Sequence, residues 1–191
     1  MDFNRKTKET DISLSLELYG SGNASVETGV GFFDHMITLL AVHAGFDIEL
    51  KTVGDLHVDM HHTVEDTGIV LGSAISKLLG DKKGINRYGS FFVPMDEALG
   101  FCSLDFSGRP YLVLDCPLKA EKVGDFDSQM LVEFLRAFSQ NAGLTLHLKL
   151  LYGDNDHHKV EALFKALGHA IKEAVSKSGT DTVLSSKGSL E

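Results

Sequence analysis

The chain contains the same five-residue motif twice, His-His-x-x-Glu, as HHTVE at residues 61–65 and as HHKVE at 157–161. The residues before each copy also match. An Ala-Gly pair, a run that alternates apolar and polar residues, and a Gly-Asp pair follow in the same order at 44–55 and at 142–154. Self-similarity of this kind is typical of a repeated structural unit. The chain is therefore predicted to be an internal duplication.

The spacing within each motif favours metal binding. Imidazole and carboxylate groups are common ligands of divalent metals. On a helix, residues i and i+4 share a face, so the first histidine and the glutamate of each motif point to the same side. The second histidine, His62 or His158, is turned about 100° away. Each motif is therefore predicted to serve two ions, or to lie between two ions at an interface.

The duplication also pairs two residues outside the motifs. His35 lies ten positions before Gly45, and Glu133 lies ten positions before Gly143. Both belong to apolar-periodic segments that precede a predicted strand, and they are pseudo-equivalent candidates for a further metal ligand. Nitrogen and oxygen donors allow Mn, Fe, Co or Zn, and the carboxylates favour an octahedral ion such as Mn.

Composition excludes several other classes. The net charge is −9 and the basic residues are scattered, which argues against a nucleic-acid partner. No apolar run reaches the roughly 18–20 residues that span a bilayer, and the N-terminus lacks a signal-peptide core, so we expect a soluble, cytoplasmic protein without a membrane partner. Cys102 and Cys116 do not form a Cys-x-x-Cys pair and are interpreted as core thiols.

The hydrophobic periodicity gives a coarse element order. Strands are predicted at 7–18, 46–53, 90–93, 98–106, 111–116 and 144–151, and helices at 32–42, 63–79, 130–138 and 158–176. The tail, 178–191, is small and polar, and composition alone would make it a disordered end.

Further distinctive segments are spread over nearly the whole chain. They are RKTKET at 5–10, GFFDHM at 31–36, GDLHVDMHHTVED at 54–66, GINRYG at 84–89, SGRP at 107–110, TLH at 145–147, NDHH at 155–158, FKA at 164–166 and SSKG at 185–188. Together they resemble the imidazoleglycerol-phosphate dehydratase family of histidine biosynthesis. The resemblance implies an α+β fold made of an internally duplicated unit, each half a four-stranded sheet backed by helices. It also implies one domain with halves at about 1–88 and 89–178 and a tail at 179–191, assembled as a homo-oligomer of 24 subunits with shared active sites.

The resemblance further implies two manganese ions per active site. The implied ligands are His35, His61, His62, Glu65, Glu133, His157, His158 and Glu161. The family often has histidine at the position of Glu133, but a carboxylate is also a competent Mn ligand.

The reaction implied is the dehydration of D-erythro-imidazole glycerol phosphate to imidazole acetol phosphate, catalysed by a carbon-oxygen hydro-lyase. The lost hydrogen lies on a carbon that bears a hydroxyl and has no adjacent carbonyl, so the electrons must come from the imidazole. The interpretation is metal-bound imidazolate chemistry through a diazafulvene-like intermediate, with Glu9 or Glu161 as the base. By resemblance, Arg87, Arg109, Lys165, Ser185, Ser186 and Lys187 bind the substrate phosphate. Glu9, His43, Asp96 and His147 are further candidates for substrate contact.

Two other functions use the same residue types. A di-metal hydrolase of unrelated ancestry also uses histidine and carboxylate groups to activate water, but it leaves the Asn-Arg and Ser-Ser-Lys segments without a role. A metal-assembled shell without catalysis would depend on metal for assembly and show no turnover.

Overall fold

The computed structural model describes residues 1–188 and residue 190. The first half consists of β1 Asp2–Lys6, β2 Thr10–Glu17, β3 Ala24–Glu27, α1 Gly31–Ala44, β4 Asp47–Gly54 and α2 His61–Leu79. Its strands form one sheet in the order β1-β2-β4-β3. β3 and β4 run parallel, whereas the other neighbours are antiparallel.

The second half repeats this order and adds a hairpin. Its elements are β5 Tyr88–Met95, β6 Ala98–Asp105, β7 Tyr111–Asp115, β8 Lys122–Val123, β9 Phe126–Asp127, α3 Met130–Ala142, β10 Thr145–Tyr152 and α4 Asp156–Val175. The sheet order is β5-β6-β10-β7, with β7 parallel to β10, and β8 and β9 form the added hairpin. The predicted α+β fold with two four-stranded sheets backed by helices is confirmed.

One face of each sheet is apolar and buried. In β2, Ile12, Leu14 and Leu16 are buried, and the residues between them are more exposed. Leu146 and Leu148 repeat this alternation in β10. Burying one such side chain contributes roughly 1.5–3 kcal/mol, so a one-residue slip of a strand would expose its whole apolar set. The buried faces of both sheets and the four helices join in a common hydrophobic cluster.

Helices of different halves pack against each other, α1 on α4 and α2 on α3. Both crossings are close because each has a glycine. A Cβ atom at Gly168 would lie 2.9 Å from the Leu40 carbonyl oxygen, and one at Gly72 would lie 2.5 Å from the Phe138 carbonyl oxygen. The two glycines occupy the same position relative to the two motifs. Each motif helix therefore packs closely, through an equivalent glycine, against a helix of the other half.

The starts of α1 and α4 have specific caps. The Asn155 side chain accepts the backbone N–H groups at 157–158 and so caps α4. α1 has no capping side chain at Val30, but Asp125 in the β8–β9 turn accepts the N–H groups at 31–32. These bonds satisfy amides that have no partner within the helix. The added hairpin thus fixes the start of a helix in the other half.

All predicted strands and helices occur, with ends shifted by at most four residues. β1, β3 and the β8–β9 hairpin were missed. They are only two to five residues long, and β1 and β3 alternate exposed with partly buried positions. The composition of the tail was also misleading. Its backbone pairs with Gly84, whose N–H donates to the Thr182 carbonyl and whose carbonyl accepts the Ser178 N–H. Within the described ranges, no helix is long and apolar enough to cross a membrane.

Candidate metal and active site

The crossing of α1 and α4 brings three predicted metal ligands together. His35 comes from α1, and His157 and Glu161 come from α4, with one ligand atom of each within 4.8 Å of the others. The Glu161 Oε2 atom lies 3.1 Å from the His157 Nε2 atom and 3.5 Å from the His35 Nε2 atom. Glu161 is buried, whereas both imidazoles are about half exposed. The carboxylate therefore forms the floor of an accessible group of donors.

The two oxygens of Glu161 have different partners. Oε1 lies 2.6 Å from the Lys165 Nζ atom, so only Oε2 faces the imidazoles. Burial acts to raise the pKa of Glu161, but the hydrogen bond and charge of Lys165, together with the hydrogen bonds of His35 and His157, outweigh it, and the pKa is lowered. The Phe32 ring packs edge-on against His157 at 5.0 Å between centroids and restricts that imidazole. Two imidazoles and an ionised carboxylate make a donor set that suits a divalent ion such as Mn²⁺.

The first motif is more open. The His61 Nε2 and Glu65 Oε2 atoms are 3.8 Å apart, and both side chains are more than two-fifths exposed. Glu133 lies on α3, the helix that packs against α2. Its Oε2 atom accepts a hydrogen bond from Arg136 at 2.6 Å. Ligation by Glu133 stays a prediction, and it requires the carboxylate to leave this ion pair or share it.

The second histidine of each motif is held through Nδ1 by a carboxylate. The His62 Nδ1 atom lies 3.0 Å from Asp55 Oδ2, and the His158 Nδ1 atom lies 2.7 Å from Glu97 Oε2. These hydrogen bonds are the main cause of a raised pKa at both His62 and His158. A hydrogen bond at one ring nitrogen fixes which nitrogen remains free for a metal. In both residues, Nε2 is the nitrogen that remains available to bind a metal.

The Nε2 atoms of these two histidines face further carboxylates. The Glu9 Oε1 atom lies 3.9 Å from His62 Nε2, and the Asp96 Oδ2 atom lies 3.8 Å from His158 Nε2. Glu9 follows β1 in the β1–β2 turn, and its side chain is 54% exposed. The two predicted base candidates therefore differ: Glu9 is open to solvent, and Glu161 is buried and ion-paired.

The tail lines a cavity of about 970 Å³ together with the segment at 85–88 and Arg109. Five of the six predicted phosphate-binding residues line it: Arg87, Arg109, Ser185, Ser186 and Lys187. Arg87 is bound to both oxygens of Asp105, and its Nη1 atom donates to the Leu184 carbonyl at 2.6 Å. The sixth residue, Lys165, lies beside Glu161 instead. Through these hydrogen bonds, Arg87 links the tail to the second sheet.

The remaining candidates lie in different places. His43 is on α1, and its Nδ1 atom is 2.9 Å from the His169 Nε2 atom. Burial, followed by the charge of His169, lowers the pKa of His43. The His169 ring in turn stacks on Phe91 at 4.4 Å between centroids. His147 is exposed on the outer face of β10.

Comparison with known proteins places this arrangement in a family. The imidazoleglycerol-phosphate dehydratase profile matches residues 28–171. The chain belongs to the imidazoleglycerol-phosphate dehydratase family. These enzymes are hydro-lyases of histidine biosynthesis. Members from Acetivibrio thermocellus and Clostridium botulinum are 56% and 55% identical to the chain, over 99% and 97% of its length and 97% and 95% of theirs.

Two solved structures of the same enzyme family are also similar to the chain. The imidazoleglycerol-phosphate dehydratase of Pyrococcus furiosus superposes with a TM-score of 0.86 at 37% identity, covering 98% of this chain and 100% of that one. The enzyme of Staphylococcus aureus gives 0.83 at 40% identity, covering 93% and 99%. The duplicated architecture is thus shared with known dehydratases.

Sequence reasoning missed three residues that organise this dehydratase site: Asp55, Glu97 and Asp125. Asp55 stands in the Gly-Asp pair that marks the duplication, so its place near His62 was available as a signal. Glu97 is 61 positions before His158, and Asp125 is 94 positions after Gly31, the first residue of the helix that it caps. No local spacing connects either residue to its partner.

Proposed function

We propose that the chain catalyses the dehydration of imidazole glycerol phosphate to imidazole acetol phosphate with two manganese ions per active site. The observation that carries the proposal is the convergence of His35, His157 and Glu161, with the Oε2 atom of the carboxylate aimed at two imidazole nitrogens. We propose that the other ion ligands are His61, His62, Glu65, Glu133 and His158. The bound ions would supply Lewis acidity that lowers the pKa of the substrate's imidazole N–H.

Among the two base candidates, we propose Glu9 as the group that takes the proton from the hydroxyl-bearing carbon. Both oxygens of Glu161 already have partners, Lys165 on one side and two imidazoles on the other. Glu9 is exposed and reaches the surroundings of His62. A base must meet its proton at hydrogen-bond distance, and an exposed carboxylate can approach substrate without losing an ion pair. Glu161 then acts as a metal ligand.

We propose that the tail cavity receives the substrate phosphate. Arg109, Ser185, Ser186 and Lys187 offer a cation-rich, donor-rich lining, which suits a phosphate. Arg87 contributes mainly by holding the tail, because Asp105 and Leu184 already accept its hydrogen bonds. His43, Asp96 and His147 remain proposed contacts of the substrate. Their positions differ, which is compatible with an active site assembled from more than one subunit.

We further propose a homo-oligomer, of 24 subunits as the resemblance implies, in which neighbouring copies complete each active site. Support comes from the directions of the ligands within one chain. The His35 group and the exposed His61 and Glu65 pair lie on different helix pairs, α1 with α4 and α2 with α3. The free Nε2 atoms of His62 and His158 are exposed enough to reach an ion bound by another copy.

The test is turnover of imidazole glycerol phosphate by metal-stripped protein before and after Mn²⁺ addition, with particle mass measured in parallel. We expect activity to appear with Mn²⁺. Assembly that returns with Mn²⁺ while turnover stays absent would instead support the metal-assembled shell. Turnover that is unchanged after complete metal removal would contradict the metal-dependent proposal directly.

A further inference from the structure

Glu97 has an unusually complete set of partners for an acidic residue in a surface turn. Its Oε1 atom accepts the backbone N–H groups of Asp154 at 3.1 Å and Asn155 at 2.8 Å. Its Oε2 atom is 2.7 Å from the His158 Nδ1 atom. The hydrogen bonds from Asn155 and His158 lower the pKa of Glu97 to about 2. One carboxylate thus joins the β5–β6 turn to the loop that begins α4 and to the histidine on that helix.

The turn that presents Glu97 is strained. β5 and β6 pair up to Met95 and Ala98, so Asp96 and Glu97 form a two-residue connection. Asp96 adopts φ +48°, a left-handed conformation that non-glycine residues rarely take. Such conformations persist where the surrounding structure holds them. Here the three hydrogen bonds of Glu97 provide that restraint on the turn.

The other half provides an independent parallel. His62, the counterpart of His158, is also held at Nδ1 by a carboxylate, from Asp55. Asp55 and Glu97 are not equivalent in the duplication, since Asp55 follows β4 and Glu97 precedes β6. Glu97 matches Glu9 instead, because each is the residue just before an inner strand. Both halves therefore meet the same requirement at Nδ1 with different residues.

We propose that Glu97 is a positioning residue for His158, and that it holds the imidazole with Nδ1–H toward the carboxylate and with the Nε2 lone pair free to bind the metal. This inference rests on the proposed metal role of His158. A carboxylate accepts only, so Nδ1 must donate and the proton must reside there. Partners of this kind orient a metal-binding histidine and raise its basicity.

Glu97→Gln separates positioning from folding. The amide oxygen of glutamine can still accept the N–H groups of Asp154 and Asn155. Its NH₂ group, however, donates toward Nδ1 of His158 and so favours the tautomer with the proton on Nε2. We expect Mn²⁺ titration of the metal-stripped full-length enzyme, read by the EPR signal of free Mn²⁺, to show one class of sites weakened about 10- to 100-fold. The remaining class keeps its affinity, and the thermal unfolding midpoint of the metal-free protein stays near that of the parent.

Three further variants make the test specific. Glu97→Asp keeps an acceptor and should recover part of the lost affinity. Asp55→Asn is the matched change at His62 and should weaken sites to a similar degree. Glu121→Gln removes the same charge from an exposed position and should leave Mn²⁺ binding unchanged. Wild-type affinity in Glu97→Gln would overturn the inference, and so would equal losses in Glu97→Asp and Glu97→Gln accompanied by equal drops in the unfolding midpoint.

A second measurement distinguishes this inference from the proposed function. In metal-free protein with ¹⁵N-labelled histidine, the His158 nitrogen shifts report the tautomer. We expect Nδ1–H in the parent and Nε2–H in Glu97→Gln. If the parent protein neither binds Mn²⁺ nor turns over substrate, the proposed function fails, yet the shifts still decide whether Glu97 sets the tautomer. The same tautomer in both proteins would overturn the inference even if the enzyme is active.

Discussion

The two motif helices carry the same ligand pattern in different surroundings. On α4, Glu161 is fixed by Lys165 and faces His35 and His157. On α2, the position corresponding to Lys165 is Ile69, and Glu65 is left half exposed beside His61. The two halves thus share the proposed metal ligands, whereas the residues around them differ. One group is assembled within the chain, and the other is left open toward solvent.

The helices opposite the motifs differ in the same way. His35 is presented by α1, whose start is capped by Asp125 from the hairpin found only in the second half. Glu133 is presented by α3, which has no capping side chain at its start, and is paired with Arg136. A turn of the second half therefore caps a helix of the first half. The comparison predicts that equivalent substitutions in the two halves will have unequal effects.

We expect the largest difference in kcat between a variant of the proposed base, Glu9, and variants of the proposed metal ligands. We expect Glu9→Gln to lower kcat by about 10²–10⁴-fold, the range for loss of a general base, at any Mn²⁺ concentration. Glu161→Gln and Glu65→Gln should lose activity mainly through weaker Mn²⁺ binding and should recover as Mn²⁺ is raised. The measurement is kcat against Mn²⁺ concentration. A kcat that stays low in Glu161→Gln at saturating Mn²⁺, with Glu9→Gln near normal, would make Glu161 the base.

The next difference concerns the position where the two halves have different proposed ligands, His35 and Glu133. Glu133→Ala should weaken Mn²⁺ binding by about 10- to 100-fold or more, because a ligand contributes at least as much as its supporting residues. Glu133→His restores an imidazole like that of His35 and should retain most of the affinity. Both are measured by Mn²⁺ titration. Parent-like affinity in Glu133→Ala would show that Glu133 is not a ligand.

The sequence predicted much of this architecture because the duplication can be recognised from short motifs and their spacing along the chain. The motif spacing placed His157 and Glu161 on one face, and the matching glycines paired His35 with Glu133. The sequence did not predict that α1 packs on α4. The need for a glycine at Gly168 is visible only once the α1 backbone is known to lie against it. The contact between Lys165 and Glu161 is different, because the two residues are an i,i+4 pair on the predicted helix; the spacing could have indicated it, but Lys165 was assigned to the phosphate instead.

A smaller effect is expected from the Asp125 cap of α1, which has no counterpart at Gln129 at the start of α3. Asp125→Ala leaves the amides at 31–32 without acceptors, and we expect a loss of about 1–2 kcal/mol in the free energy of unfolding. Although burial acts to raise the pKa of Asp125, the hydrogen bonds from Phe32 and Gly31 lower it overall. A carboxyl group whose pKa is lowered by folding stabilises the folded state at pH values above its unfolded pKa of 3.8. This stabilisation is lost as the pH falls through the folded-state pKa.

Denaturant unfolding from neutral to acidic pH measures this directly. The difference between the parent and Asp125→Asn should be largest at neutral pH and shrink below pH 3.8. Gln129→Ala at the start of α3 is the matched control, since Gln129 gives no capping hydrogen bond. A pH-independent difference for Asp125→Asn would mean that the charge of the cap contributes nothing.

The smallest expected effect concerns Glu133, the proposed ligand on the helix that packs against the first motif. Arg136 holds Glu133 in an i,i+3 ion pair, and its side chain is 55% exposed. Pairs this exposed contribute about 0.2–1 kcal/mol, which corresponds to at most about fivefold in an equilibrium constant. If Glu133 must leave Arg136 to bind an ion, Arg136→Met should tighten Mn²⁺ binding by up to that factor, and Lys149→Met, which removes a charge from the outer sheet face, should not. Weaker binding in Arg136→Met would instead mean that the arginine orients the carboxylate toward the ion, as Lys165 does for Glu161, and the two halves would then be more alike than the single chain suggests.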